Sequence, residues 1–351
     1  MIRILTVLCS VSFFAACAAP RPLSSPGGRP LHHADRGFRN VYESPRRHGF
    51  SDLLRWRFGL GPRETPPIPP EEIPPYRPEL VEPDRRAIRT PDPAKIQITW
   101  IGHSSFLIQA DGLAILTDPV FSERVSPVSF IGPRRLAPPG LKFEDLPPID
   151  AVLISHDHYD HLDAATIARL GPEIRYFVPL GLAAWFGKLK DRRISEMDWG
   201  DESTLGPVTI HMVPAQHFSG RAPFAFNRTL WAGYIIETRH RRIYFAGDTG
   251  YSPHFKEIAA RFSPIAVALL PIGAYRPWWF MQPMHMDPAD AVRASLDLGA
   301  AVSVPMHWGT FPQNTEPMGE PPLYLKKALR DAGVPEDRFR ILKFGQTLFW
   351  E

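Results

Sequence analysis

The chain has 351 residues, 44% of them hydrophobic, and a formal net charge of +3, which is room for one large domain or two small ones around a sizeable core. No Lys or Arg block is long enough to track a phosphate backbone, so no nucleic-acid partner is expected. Both cysteines, Cys9 and Cys17, lie at the N-terminal end; a mature chain forms no internal disulfide, and its metal ligands must be histidine and carboxylate.

The chain starts MIRILTVLCSVSFFAACAAP. Arg3, an apolar run over 4–16 and then small residues have the layout of a secretory signal, and the run is too short to cross a membrane. Phe14-Ala15-Ala16-Cys17 resembles a bacterial lipobox, in which Cys17 would be diacylated and become the first mature residue; Phe14 departs from the usual Leu. Ala16-Cys17-Ala18 equally fits the small-x-small cleavage pattern of an ordinary exported protein, and an uncleaved anchor is the plainer alternative. Residues 1–18 are therefore read as a signal peptide with a lipobox-like end. The expected location is outside the cytoplasm, as a membrane-anchored lipoprotein facing the periplasm or cell surface, or else as a periplasmic or secreted protein.

Residues 19–93 are rich in Pro, Arg and Gly, and 65–83 reads TPPIPPEEIPPYRPELVEP. Proline removes backbone donors and disfavours helix, so this region predicts a polyproline-II tether or a strap lying on the domain. WRFGLG, 56–61, is apolar enough to dock onto something.

Residues 94–351 have a different texture. Short β-rich runs end in Gly, Asp, His or Pro: KIQITWIG, AILTDPV, DAVLISH, VTIHMVPAQH, RIYFAGD, AVALLPIG and AVSVPMH. Between them, Asp163 can cap a helix over DAATIARL that Gly171 and Pro172 close, and Asp287-Pro288 opens DPADAVRASLDLG. Strands mixed with helices predict an α/β domain with sheets sandwiched by helices.

The stretch SHDHYDHLD, 155–163, crowds three histidines and three aspartates into one strand end. His156, His158, Asp160 and His161 have the spacing of a metal site, whereas Asp163 is better read as a helix cap and Asp157 as facing solvent. His217, Asp248 and His307 also follow apolar strands, and strand ends on one sheet edge converge in space. These side chains suffice for two metal ions. Imidazole and carboxylate without thiolate favour zinc, with manganese or iron chemically tolerable.

HDHYDH matches the HxHxDH signature of the metallo-β-lactamase superfamily, and Asp118 in ILTDP, His217, Asp248 in GDTG and His307 follow in its motif order over 96–351. Within it, LPPIDAVLISHDHYDHLD, FVPLGL, FAGDTGY, PIGAYRPWWFMQPMHMDPADAV and MHWGTF resemble the N-acyl-phosphatidylethanolamine-hydrolysing phospholipase D family. The resemblance implies a four-layer αβ/βα sandwich and two Zn²⁺ per chain. His156, His158 and His217 would hold one ion, and Asp160, His161 and His307 the other, with Asp248 bridging. A water shared by two dications would have its pKa lowered to about 7 or below, giving a hydroxide nucleophile at neutral pH. Asp118 would orient a ligand from behind, its competitor role being a turn aspartate, and His103 in WIGHSSF fits a similar supporting or turn role. His285 falls beside the expected headgroup and would donate a proton or a hydrogen bond; a packed or capping histidine is the alternative.

Two aromatic stretches could meet substrate. In 275–284, Tyr275, Arg276, Trp278, Trp279 and Phe280 are candidates, and in 218–231 Arg221 is another; large apolar groups would take acyl chains or the lipid interface, arginine would pair with phosphate, and simple core packing is the competing reading. The expected function is a dinuclear zinc phosphodiesterase that cleaves N-acyl-phosphatidylethanolamine or a related phospholipid to phosphatidic acid and a headgroup alcohol. Its expected partners are the phospholipid and a membrane surface, and the sequence is compatible with a homodimer. The rivals are a lactonase or β-lactamase-type hydrolase on the same metals, an RNA nuclease, and a non-catalytic metal-stabilised surface lipoprotein.

Overall fold

The computed structural model describes residues 28, 30–42, 49–187, 189, 191–221 and 225–351; the signal-peptide reading of residues 1–18, with Cys17, lies outside them. Antiparallel β1 (Ile96–Gly102), β2 (Ser105–Ala110) and β3 (Leu113–Thr117) continue in parallel through β4 (Ala151–Leu153), β5 (Arg175–Pro179) and β6 (Arg193–Met197). A second sheet starts antiparallel with β7 (Glu202–Leu205), β8 (Val208–Val213), β9 (Gly233–Glu237) and β10 (Arg242–Phe245). It turns parallel through β11 (Val267–Pro271) and β12 (Val302–Met306). The last strand, β13 (Thr347–Trp350), returns antiparallel to β1.

Strand alternation sorts the first sheet's side chains into two cores. Ile98, Trp100, Phe106, Ile108, Leu153 and Phe177 share a core with Ile210, Tyr234 and Phe245 of the second sheet. Their neighbours Ile101, Leu107, Leu116, Val152 and Val178 point the other way, to meet Ile88, Ile167 and Phe186 from helices Arg85–Arg89, Ala164–Arg169 and Ala183–Phe186. On the far side, helices His254–Phe262, Pro288–Leu298 and Glu320–Asp331 bring Phe255, Val292 and Leu325 onto the second sheet. The order is helix, sheet, sheet, helix, the four-layer sandwich expected. Each large apolar side chain buried there contributes about 1.5–3 kcal/mol, which gives the strand ends a rigid base.

The capping aspartates act as the sequence suggests. Asp163 accepts from Ala165 N, and Asp287 accepts from Asp290 N with Pro288 in the first turn. Asp157 is different: it is buried, and its carboxylate accepts from Gly220 N at 2.9 Å, because the loop after His217 folds over it.

The described part of the proline-rich region lies along the domain. Tyr76 Oη donates to Gly309 O at 2.8 Å, Val81 N donates to Phe344 O at 2.9 Å, and Ile68 and Ile88 are buried. Trp56 stacks on Phe280 with ring centres 5.3 Å apart, while Phe58 and Leu60 stay exposed. Among the described residues no helix is long and apolar enough to cross a membrane.

Candidate metal centre

The chemistry-bearing residues sit just beyond the C-terminal ends of strands whose pairing fixes their level. Thr117 pairs with Leu153, so Asp118 after β3 stands beside the 155–161 segment after β4. Pro271 pairs with Met306, which places His307 at the end of β12 beside the turn at 272–274. Gly247, before Asp248, has φ +60, and a side-chain carbon there would come within 2.6 Å of Ser155 Cβ. Only glycine lets this turn cross so closely over the histidine segment.

Two sets of ligand-type atoms result. In the first, His158 Nδ1 lies 2.8 Å from His156 Nε2 and 3.3 Å from His217 Nε2. In the second, Asp160 Oδ2 lies 3.2 Å from His161 Nε2 and 3.3 Å from His307 Nε2. Asp248 Oδ2 stands between the sets, 3.0 Å from His307 Nε2, 3.2 Å from His161 Nε2 and 3.8 Å from His217 Nε2.

Partners behind the rings decide which nitrogen faces inward. His217 Nδ1 donates to Met284 O at 2.9 Å, leaving Nε2 with its lone pair toward the first set. His161 Nδ1 donates to Asp118 Oδ2 at 2.6 Å, and Asp118 is itself held by Ser155 N at 2.7 Å and Ser155 Oγ at 2.6 Å. Such backing fixes tautomer and orientation in metal sites. His103, in the β1–β2 turn with φ 54, places Nε2 3.0 Å from Asp160 Oδ2 and its ring 4.1 Å from that of His307.

The donor atoms fit divalent ions. Burial holds His156 far below the usual imidazole range, His158 at about 3 and His217 at about 4, so all three are neutral and offer lone pairs to one another. Tetrahedral ligation at Zn–N distances of about 2.0–2.1 Å spaces such nitrogens by roughly 3.3 Å, which the His158–His217 pair matches, while the His156–His158 pair is closer at 2.8 Å. Burial opposes the charges of Asp160 and Asp248, yet the neighbouring histidines, His161 first, keep both carboxyls well below the usual range. Burial likewise opposes charge on His161 and His307, but Asp248 and Asp160 hold the first well above the usual range and the second at about 9. His161 Nε2 and Asp248 Oδ1 are buried without a hydrogen-bond partner. Without an ion, protons on His161 and His307 balance the two carboxylates; divalent ions bound at the same inward atoms would take the place of those protons.

A cleft of about 290 Å³ opens beside these atoms, lined by Val125, His158, Tyr159, Asp160, Phe218, Asp248, Ala274, Met281, His285, His307, Gln313 and Asn314. A larger cavity of about 400 Å³ lies between the 74–79 strap and helix Glu320–Asp331, so chemistry rather than size singles out the cleft. His285 is in it, with Nδ1 4.0 Å from Asp248 Oδ2, and burial keeps its ring neutral.

Of the substrate candidates, Trp278 is exposed and Phe280 stacks on Trp56, whereas Trp279 is buried. Tyr275 and Arg276 serve a different purpose from the one expected: Tyr275 Oη donates to Glu320 Oε1 at 2.5 Å and Arg276 Nη2 lies 3.0 Å from the same oxygen. A fully buried carboxylate draws both polar groups inward, away from a substrate. Arg221 is also spent internally. Its Nη1 donates to Asp157 O at 3.0 Å and Leu162 O at 2.7 Å, and its guanidinium lies over Tyr159 at 4.0 Å. It ties down the histidine segment. The sequence reading missed Gln313, whose Nε2 donates to Asp160 Oδ2 at 2.8 Å, and Asn40, which bonds the backbone of His217; neither residue lies in a motif.

Residues 114–308 match the family described as the β-lactamase superfamily domain. The chain is 41% identical over 247 residues, 67% of its own length and 69% of the relative's, to N-acyl-phosphatidylethanolamine-hydrolyzing phospholipase D 1 of Caenorhabditis elegans. It is 45% identical over 236 residues to an uncharacterised Mycobacterium tuberculosis protein, with 65% of this chain and 62% of that protein covered, so it spans under two thirds of that relative's length. A metallo hydrolase from the archaeon Ignicoccus hospitalis superposes with a TM-score of 0.56 at 27% identity, covering 73% of this chain and 99% of that one. With the two-sheet sandwich and the strand-end histidines and aspartates, these likenesses show that the chain belongs to the metallo-β-lactamase superfamily of metal-dependent hydrolases and is a relative of its N-acyl-phosphatidylethanolamine-hydrolysing phospholipases D.

Proposed function

We propose that the protein is a two-zinc phospholipase D-type phosphodiesterase acting on N-acyl-phosphatidylethanolamine or a closely related phospholipid at a membrane surface. The observation that carries this reading is Asp248 Oδ2, within 3.0–3.8 Å of histidines from both sets; a carboxylate so placed suits a pair of ions. His156, His158 and His217 would hold one, Asp160, His161 and His307 the other. Bound ions supply a water-derived nucleophile at neutral pH and neutralise charge on the phosphoryl oxygens.

In the reaction, a water oxygen forms a new bond to phosphorus, the phosphorus–oxygen bond to the headgroup breaks, and a proton ends on the departing alkoxide. The products are phosphatidic acid and, for an N-acylated headgroup, an N-acylethanolamine. His285, neutral and lacking a partner at Nδ1, is the cleft residue suited to hydrogen-bond the phosphoryl or headgroup oxygen. Val125, Phe218 and Met281 give the cleft an apolar side. Phe226, 65% exposed, packs tilted against Phe218 with ring centres 5.7 Å apart, extending that side outward for acyl chains.

The test is to load the full chain with Zn²⁺ and offer vesicles of N-acylated or plain phosphatidylethanolamine beside His156→Ala and Asp248→Ala controls. Phosphatidic acid released by the wild type alone supports the proposal. Intact lipids with turnover of lactones or β-lactams would overturn the substrate assignment.

A further inference from the structure

The N-terminal arm, 30–42, reaches the metal centre from outside the sandwich. Asn40 meets His217 with both ends of its amide: Nδ2 donates to His217 O at 2.9 Å and Oδ1 accepts from His217 N at 3.2 Å. The same Oδ1 accepts from Trp231 Nε1 at 3.0 Å, and that indole also donates to Ala215 O. His217 follows β8 on a loop, so its backbone lacks the strand pairing that fixes residues 208–213. Asn40 supplies in its place a two-point hold on the backbone, while Met284 O fixes the ring.

The arm is fastened at its other end. His32 Nε2 lies 2.5 Å and His33 Nε2 2.7 Å from the two oxygens of Asp198, and the buried His32 ring stacks on Trp199 at 4.3 Å. Trp199 Nε1 in turn donates to Trp231 O at 2.7 Å. Between these anchors, Phe38 N donates to Asn227 O at 2.8 Å, and Asn227 Oδ1 accepts from Ser219 N at 3.1 Å. The arm is thus stitched to the loop that leaves His217. The two histidines and Asp198 also resemble a metal site in composition. Their 2.5 and 2.7 Å separations, like the His161–Asp118 contact at 2.6 Å, are those of His–carboxylate hydrogen bonds. They form a latch.

We infer that Asn40 is a positioning residue for the metal centre: delivered by the latched arm, it sets where His217 presents Nε2 and so tunes the ion held by His156, His158 and His217. The inference rests on the reading of His217 as a ligand. Its consequence is selective. Losing Asn40 weakens one of two sites and leaves the Asp160, His161 and His307 site intact, which general loosening of the fold does not do.

Co²⁺ titration of the metal-free full chain, followed by visible absorption, separates these cases. The wild type is expected to take two Co²⁺, and Asn40→Ala to bind one of them about 10–100-fold more weakly. Asn40→Asp keeps the acceptor for His217 N and loses the donor, so it should fall between. His217→Ala should lose the same site, and adding Asn40→Ala to it should change Co²⁺ affinity no further. Arg39→Ala, an exposed arm residue whose Nε donates to Leu31 O within the arm, should bind as the wild type does. Unchanged binding by Asn40→Ala, or equal weakening of both sites in step with a lower metal-free Tm, would overturn the brace while leaving the ligand assignment standing. A wild type that binds no Co²⁺ would overturn both.

Discussion

His161 Nδ1 donates to Asp118 Oδ2 across 2.6 Å, and solvent reaches neither side chain. Asp118 thereby fixes the tautomer that turns His161 Nε2 inward. Replacing Asp118 with Ala should lower metal affinity at the Asp160, His161 and His307 site about 10–100-fold. Competition against a chelator, read by metal content of the recovered protein, checks it.

Arg221 donates to the carbonyls of Asp157 and Leu162, on either side of the proposed ligands His158, Asp160 and His161. Arg221→Ala should therefore release metal more easily and unfold at lower temperature, because two buried acceptors lose their donor at about 1–3 kcal/mol each. An arginine that read substrate phosphate would instead raise KM and leave metal content unchanged.

Glu320 is fully buried against Tyr275 and Arg276. Glu320→Ala strands the Arg276 cation and should cost about 3–5 kcal/mol in urea unfolding. Tyr275→Phe removes one hydrogen bond to that carboxylate, about 1.5–3 kcal/mol, and should leave KM unaltered.

His285→Gln should cut kcat by about 10²–10⁴ with both metals retained, as measured by turnover and metal content on the same sample. Loss of metal with the activity would instead make His285 a ligand.

His254, buried in the second sheet's helical cover, has its pKa pushed down to about 3 by burial alone. In the unfolded chain it titrates near 6.5. The fold therefore gains from its neutral form above about pH 6.5 and loses that gain as pH falls toward 3, by about 2 kcal/mol at pH 5. Stability of a His254→Leu variant should drop less than that of the wild type between pH 7 and pH 5, by about that amount, in urea unfolding.

The candidate ligand positions could be picked out because each follows an apolar strand, and the ends of these strands meet at one edge. Asp248 and His307 converge through the parallel strands β10, β11 and β12, and His217 joins them because β8 runs the same way as β10 with antiparallel β9 between them. Strands such as β6, Arg193–Met197, were not legible: its side chains are largely exposed or half-buried, and RISEM carries no apolar alternation. Loop side chains were misread for a related reason. Periodicity sets direction in strands and helices, but nothing local decides whether Arg221 or Arg276 turns outward to substrate or inward to carbonyls and Glu320. Asn40 and Gln313 left no trace at all, since an amide's partners 177 and 153 residues away exist only in the fold.

Which bond is cut can be read directly by running the zinc-loaded protein on N-acyl-phosphatidylethanolamine vesicles in ¹⁸O-water and weighing the products. Attack at phosphorus predicts ¹⁸O in the phosphate of phosphatidic acid and an unlabelled N-acylethanolamine, with both products absent for Asp248→Ala. Label in a released fatty acid, or no metal-dependent cleavage of the lipid, would contradict the phosphodiesterase assignment.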